Sequence, residues 1–138
     1  MPNNLHLKII TPRKVVLEDE VTAVTAPAAA GEITVLPRHT SLFALLKEGI
    51  VKIKYVGRED FLAIGGGYLE TDGKVLNVLV SRAYHQSEID ERQTEEAIKN
   101  AKKILLESKD EKTRADALTL LRRSTIDLKL IKRHKYRG

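Results

Sequence analysis

The sequence predicts an α+β chain: an N-terminal antiparallel β-domain, sandwich or barrel, followed by a C-terminal antiparallel helical hairpin. Apolar residues recur at every second position from Leu5 to about Ala83, and turn signals interrupt that pattern at close intervals. After Ser87 the apolar period lengthens to that of a helix. The change of period sets the expected domains at 1–87 and 88–138. A chain of 138 residues has room for one domain, or for one compact domain with a short appendage.

In the β-domain, Leu5, Leu7 and Ile9 alternate with His6 and Lys8. Val21, Ala23 and Thr25 alternate with Thr22, Val24 and Ala26, and Val51, Ile53 and Tyr55 with Lys52, Lys54 and Val56. Such alternation marks strands with one buried face. Turns are expected at Thr11-Pro12, Ala30-Gly31, Gly57-Arg58 and Asp72-Gly73, the last a hairpin whose two central residues favour positive φ. Gly65-Gly66-Gly67 leads into YLETDGK without a Gly-Lys-Ser or a helix start. It therefore reads as a bulge or a close backbone approach rather than a phosphate loop. In GEITVLPRHTSL, Pro37 has no N–H to donate, so ladder pairing ends there. The residues after it are free to serve a partner, or the proline merely guards an edge strand.

The helical half carries Ala97, Ile98, Ala101, Ile104 and Leu105 on one face, and Ala117, Leu118, Leu121, Leu128 and Ile131 on a second. Capping-box spacings open each run, Ser87 to Asp90 and Ser108 to Glu111. The link ESKDEK is short enough to force the helices antiparallel. With alanine at several seam positions the pair buries little area, so the hairpin is either a moving part or a permanently docked one.

Charge is uneven. Residues 112–138 hold nine Lys and Arg against two Asp, a net +7, which leaves residues 1–111 at −2 of the total +5. A basic tail suits an acidic partner or is a solvated helix face. There is no cysteine, hence no disulfide and no thiolate chemistry. No apolar run approaches the ~20 residues of a membrane span, and MPNNLHLKII has no secretory pattern, so a cytosolic chain is expected. His6, His39, His85 and His134 show no ligand spacing, and no serine sits in a nucleophile elbow. Neither a metal site nor a self-contained enzyme is expected.

The order of LHLKIITPRKVVLEDEVTAVTAP, GEITVLPRHTSLFALLKEGIVKI and AIGGGYLETDGKVLNVLVSRA, then two helices, resembles the epsilon subunit family of the rotary F-type ATP synthase, bacterial in type with the plastid type as the alternative. The resemblance implies a sandwich of about ten strands with a helical hairpin. It implies a non-catalytic central-stalk rotor subunit of a proton-translocating synthase, coupling the c-ring and gamma subunit to the catalytic head. Its place would be peripheral, at the cytoplasmic face of the bacterial cell membrane. By the same resemblance Gly31 and Glu32 face the c-ring, and Pro37, His39 and Thr40 lie along gamma. The basic residues Arg114, Arg122, Arg123, Lys129, Lys132 and Arg133 would meet an acidic segment of the beta subunit and inhibit ATP hydrolysis.

Some bacterial members of that family bind ATP through Ile or Leu, Asp, two residues, Arg, Ala at the start of the first helix. Here Ile89 and Asp90 match, but Gln93 and Thr94 stand where Arg and Ala would, and Arg92 comes one residue early. One residue is a rotation of ~100° on a helix. The expectation is that Asp90 is a helix-start acid and that no cofactor binds. Were ATP to bind, Ile89, Asp90, Arg92, Arg114 and Arg122 would carry it. The alternative function is a nucleic-acid-binding module using LKLIKRHKYRG, against which stand 4% aromatics and no recognition motif.

Overall fold

A computed structural model describes residues 4–137, with side chains from 4 to 132. The chain divides into two units that meet between His85 and Gln86.

The first unit contains ten strands: β1 (Leu5–Ile10), β2 (Val15–Val21), β3 (Ala23–Ala28), β4 (Gly31–Val35), β5 (Leu42–Leu46), β6 (Gly49–Tyr55), β7 (Arg58–Ile64), β8 (Gly67–Thr71), β9 (Val75–Val80) and β10 (Ala83–His85). They hydrogen-bond in the order β10-β7-β6-β3-β5-β8-β9-β1-β2, with β4 also on β3. The sheet folds over on itself as a sandwich around one core. Alternation does what it should in β1, where Leu5, Leu7 and Ile9 are wholly buried, and in β6, where Val51 and Ile53 are. Val24, Leu62, Ile64, Leu69, Leu76 and Val78 join them in the core.

Three details differ from the sequence expectation. The run from Val21 to Ala26 is not one strand: β2 ends at Val21, and β3 begins at Ala23 with Val24, Ala26 and Ala28 inward. Thr22 sits at the break, its N–H and hydroxyl both donating to the carbonyl of Lys54. The break lets the buried face change phase by one residue, which an unbroken strand cannot do. The pairing is not wholly antiparallel either, because β1 lies parallel to β9, with Leu7 opposite Leu76. No turn joins these two strands, so nothing local sets their direction. The Asp72-Gly73 connection is a three-residue loop in which only Gly73 has positive φ, at 94°.

The triple glycine joins β7 to β8 through a close backbone approach. Ser81 N–H donates to the Gly66 carbonyl at 3.0 Å, and a Cβ on Gly67 would fall 1.9 Å from the carbonyl oxygen of Leu79. Only glycine fits there.

The second unit has a 3₁₀ turn at Gln86–Glu88, α1 (Glu91–Glu107) and α2 (Glu111–Arg137). The caps are not Ser87 and Ser108. Asp90 caps α1 by accepting the Gln93 N–H at 2.9 Å, and Asp110 accepts both the N–H and the hydroxyl of Thr113 at the start of α2. A carboxylate offers two acceptor oxygens and complements the helix dipole, so each aspartate wins the position. The Thr113 hydroxyl and N–H hold the Asp110 carboxyl below the ordinary aspartate range. Ser108 instead ends α1, its N–H donating to the Ile104 carbonyl. Ala101 and Ala117 lie on the buried seam as expected, but Leu118 is exposed, and Thr94, Ser124 and Leu130 are buried.

Candidate functional site

The outer face of the sandwich carries an apolar row. On β5, Leu42, Ala44 and Leu46 pack toward the core, which turns Phe43 and Leu45 to solvent, each 60% exposed. Leu45 stands opposite Tyr68 of β8, Tyr68 opposite Leu79 of β9, and Leu79 opposite Ile10 of β1. The Phe43 and Tyr68 rings lie 5.2 Å apart between centroids. Beside the row, Ile10, Pro12, Gly67, Tyr68 and Leu79 line a shallow groove of about 400 Å³. The neighbouring row turns polar at Glu70, Asn77 and Lys8. An apolar face with a polar margin is the form of a docking surface.

At the end of β5 where Leu42 pairs with Thr71 lies the segment singled out in the sequence. Pairing in β4 ends at Val35, and Leu36–His39 forms a turn closed by the His39 N–H to the Leu36 carbonyl. Pro37 is half-buried; His39 and Thr40 are exposed, with the His39 Nδ1 2.8 Å from the Thr40 carbonyl. Gly31 and Glu32 open β4 opposite Ala28 and Pro27, both exposed and on a different turn from Pro37.

In the second unit, the residues named for ATP are not drawn together. Ile89 is half-buried, and the Asp90 carboxylate is engaged as a cap. Arg92 projects into solvent, its Nε 3.8 Å from the Glu96 carboxylate one turn on. Gln93 is exposed, while Thr94 is buried with its hydroxyl donating to the Asp90 carbonyl at 2.8 Å. Arg114 sits at the other end of α1, where its Nη1 donates to the carbonyls of Leu105 and Ser108. Seventeen helical residues separate it from Asp90, about 25 Å. Arg122, Arg123, Lys129 and Lys132 are exposed on α2, with Arg122 and Lys129 seven residues apart and so on one side. The side chain of Arg133 lies outside the described residues.

The histidines are dispersed. His6 bridges Glu18 and Glu20, His85 lies 3.4 Å from Asp60, and the His134 side chain is outside the described residues. Among the described residues no group of three or more His, Asp or Glu is placed to hold a metal ion, and no helix is long and apolar enough to cross a membrane.

Residues 4–86 match the family model of the ATP synthase delta/epsilon chain β-sandwich domain. The chain belongs to the ATP synthase delta/epsilon chain family. It is similar along 97% of its length to the ATP synthase epsilon chain of Psychrobacter cryohalolentis, at 32% identity and 98% coverage of that chain. The epsilon chain of Campylobacter fetus is 37% identical over 78% of this chain and 84% of its own. The fold is shared with a chain of the mitochondrial ATP synthase of Euglena gracilis, at TM-score 0.71 and 24% identity, covering 99% of this chain and 82% of that one. As a member of this family the chain is a non-catalytic subunit, and the resemblance read from the sequence holds.

Phe43, Leu45 and Tyr68 were not singled out by periodicity. The signal was present in LFALL, an unbroken apolar run that puts apolar residues on both faces of its strand. One set therefore stands exposed once the core takes the other.

Proposed function

We propose that the chain is the epsilon subunit of the central stalk of an F-type, proton-coupled ATP synthase, joining rotor parts and restraining ATP hydrolysis. The sandwich docks the gamma subunit through the row Leu45, Tyr68, Leu79 and Ile10 with Phe43, bordered by Pro37, His39 and Thr40. Gly31 and Glu32 are directed to the c-ring. The observation that carries this reading is the solvent-facing apolar row on a sheet whose inner face already has a complete core. The Euglena structure that shares the fold was solved with F1 and the c-ring, which supports the same assembly. Bound in this way, the chain is peripheral, at the cytoplasmic face of the bacterial membrane.

The experiment is affinity for gamma. Leu45→Glu and Phe43→Ser remove exposed apolar surface without touching the core, so the fold should survive while gamma binding falls about tenfold or more. Full affinity in both variants would remove the row from the interface.

The hairpin's part is inhibition. Arg122 and Lys129 share one exposed side of α2, with Arg123 and Lys132 exposed to either side of it, and this basic helix suits an acidic segment of the beta subunit. Exposed contacts contribute about 0.2–1 kcal/mol each and weaken with salt, yet several together bias a conformational equilibrium of a few kcal/mol. Reversing Arg122 and Arg123 to Glu, or deleting residues 88–138, should raise ATP hydrolysis by the assembled complex and leave assembly intact. Unchanged hydrolysis across a range of salt would end this part of the reading. ATP itself is not a ligand in this scheme, since Asp90 and Arg114 are engaged about a helix length apart; calorimetry at millimolar ATP should give no saturable heat.

A further inference from the structure

The turn Leu36–His39 and the loop Asp72–Lys74 lock into each other. Arg38 has φ 66°, a left-handed conformation that residues bearing a Cβ enter at a cost. With Pro37 before it and the His39 N–H returning 3.2 Å to the Leu36 carbonyl, the segment is a type II turn with arginine where glycine is usual. A strained residue persists only where its surroundings over-determine it. The surroundings here are the loop, since Arg38, His39 and Thr40 are all exposed and outside any strand. The Arg38 N–H donates to the Gly73 carbonyl at 2.8 Å.

The loop is itself tightly held. The Thr71 hydroxyl accepts the Gly73 N–H at 3.0 Å and donates to the Val75 carbonyl at 2.8 Å. The Asp72 carboxylate accepts the N–H groups of Lys74 and Val75 at 2.8 and 2.9 Å. Those N–H groups, that of Val75 foremost, keep the Asp72 carboxyl below the ordinary aspartate range. Gly73 is constrained twice over. Its φ of 94° suits glycine, and a Cβ there would stand 2.6 Å from the His39 carbonyl oxygen and 3.3 Å from the Arg38 Cα. Any other residue must push the turn away.

We infer that the Asp72–Lys74 loop is a template that holds Pro37, Arg38, His39 and Thr40 in the shape that gamma reads, with Gly73 as its positioning residue. The inference rests on the proposed docking of gamma beside this turn. A turn already in its bound shape spares the ordering entropy that a loose exposed segment would lose on association.

The test compares two glycines of like backbone and unlike surroundings. Gly57 has φ 80° and open space where a Cβ would go, in the turn between β6 and β7. Gly57→Ala and Gly73→Ala thus both carry a backbone penalty, but only the second displaces the Pro37–Thr40 turn. Affinity of the full chain for gamma, measured well below either melting transition, should fall about tenfold in Gly73→Ala and stay within about twofold in Gly57→Ala. The amide resonances of His39 and Thr40 should move in the first variant alone. Should Gly73→Ala not fold, Asp72→Ala decides: it loosens the loop without a collision and should weaken gamma binding about threefold. Gamma binding by Gly73→Ala equal to that of Gly57→Ala, or unchanged in a folded Asp72→Ala where that variant decides, overturns the positioning role. A separate variant joining Pro37→Ala, His39→Ala and Thr40→Ala tests the docking itself; full affinity there overturns the docking and the template with it.

Discussion

The two units bury different things. In the sandwich the wholly enclosed side chains are large and aliphatic, among them Leu5, Leu7, Ile9, Ile53, Leu62, Ile64 and Leu69. In the hairpin the enclosed positions are Thr94, Ala101, Ala117 and Ser124, with Leu130 the one large aliphatic among the described residues. Each methylene withdrawn from water contributes about 0.8 kcal/mol, so a hairpin whose fully enclosed positions are small or polar but for Leu130 is held less firmly than the sandwich. The proposed roles, a fixed docking face for the sandwich and a change of state for the hairpin, call for a difference in this direction.

The largest test of that contrast is to separate the units. Residues 1–87 should unfold cooperatively on their own and bind gamma, whereas residues 88–138 alone should lose most of their helical signal, which circular dichroism reads directly. A stable isolated hairpin would break the comparison. Next in size is truncation within the core: Leu69→Ala, at a fully buried site, should cost about 2–5 kcal/mol in denaturant unfolding. Leu106→Ala, at a site 87% exposed, should stay within about 0.5 kcal/mol.

The caps come third. Asp110→Ala removes the acceptor for two groups of Thr113 and should cost about 0.5–2 kcal/mol, seen as faster amide exchange in the first turn of α2 with the sandwich unchanged. Smallest is a pH effect confined to the sandwich. His6 Nδ1 lies 2.6 Å from Glu20 and Nε2 2.8 Å from Glu18, and these hydrogen bonds, that of Glu20 first, hold the imidazole above its ordinary 6.5. Its contribution is complete below pH 6.5 and is lost as pH rises through the raised folded value. Glu18, held below its ordinary 4.5 by the bond to His6, contributes above that value, and its share is lost as pH falls through the folded one. The cluster is exposed, so salt should erase most of the effect. A proton-resonance titration placing His6 at or below 6.5, or His6→Gln with the same pH profile of stability as the parent, would contradict it.

The measure of what could be read beforehand differs along the chain. Leu5, Leu7 and Ile9 announced β1 because an amphipathic strand writes its buried face in alternate letters. The hairpin's helices were legible in the same way. The caps were misplaced because Ser87 and Ser108 carry the same local signature as Asp90 and Asp110, and competition between neighbours is settled by the backbone path. The end of strand pairing at Pro37 was legible, but the exposed Phe43 and Leu45 were hidden, since an apolar run does not say which of its faces the core will take.

By itself the sequence determined the class of each half, the end of pairing around Pro37 and the family. These follow from interactions between residues a few positions apart, whose physics repeats in every chain. Only the tertiary structure decided that β1 runs parallel to β9, that Thr22 breaks β2 from β3, and that Gly73 lies under His39. Those contacts join residues far apart in the chain, and their geometry depends on which strand edges and which spaces remain once the rest of the sandwich has closed.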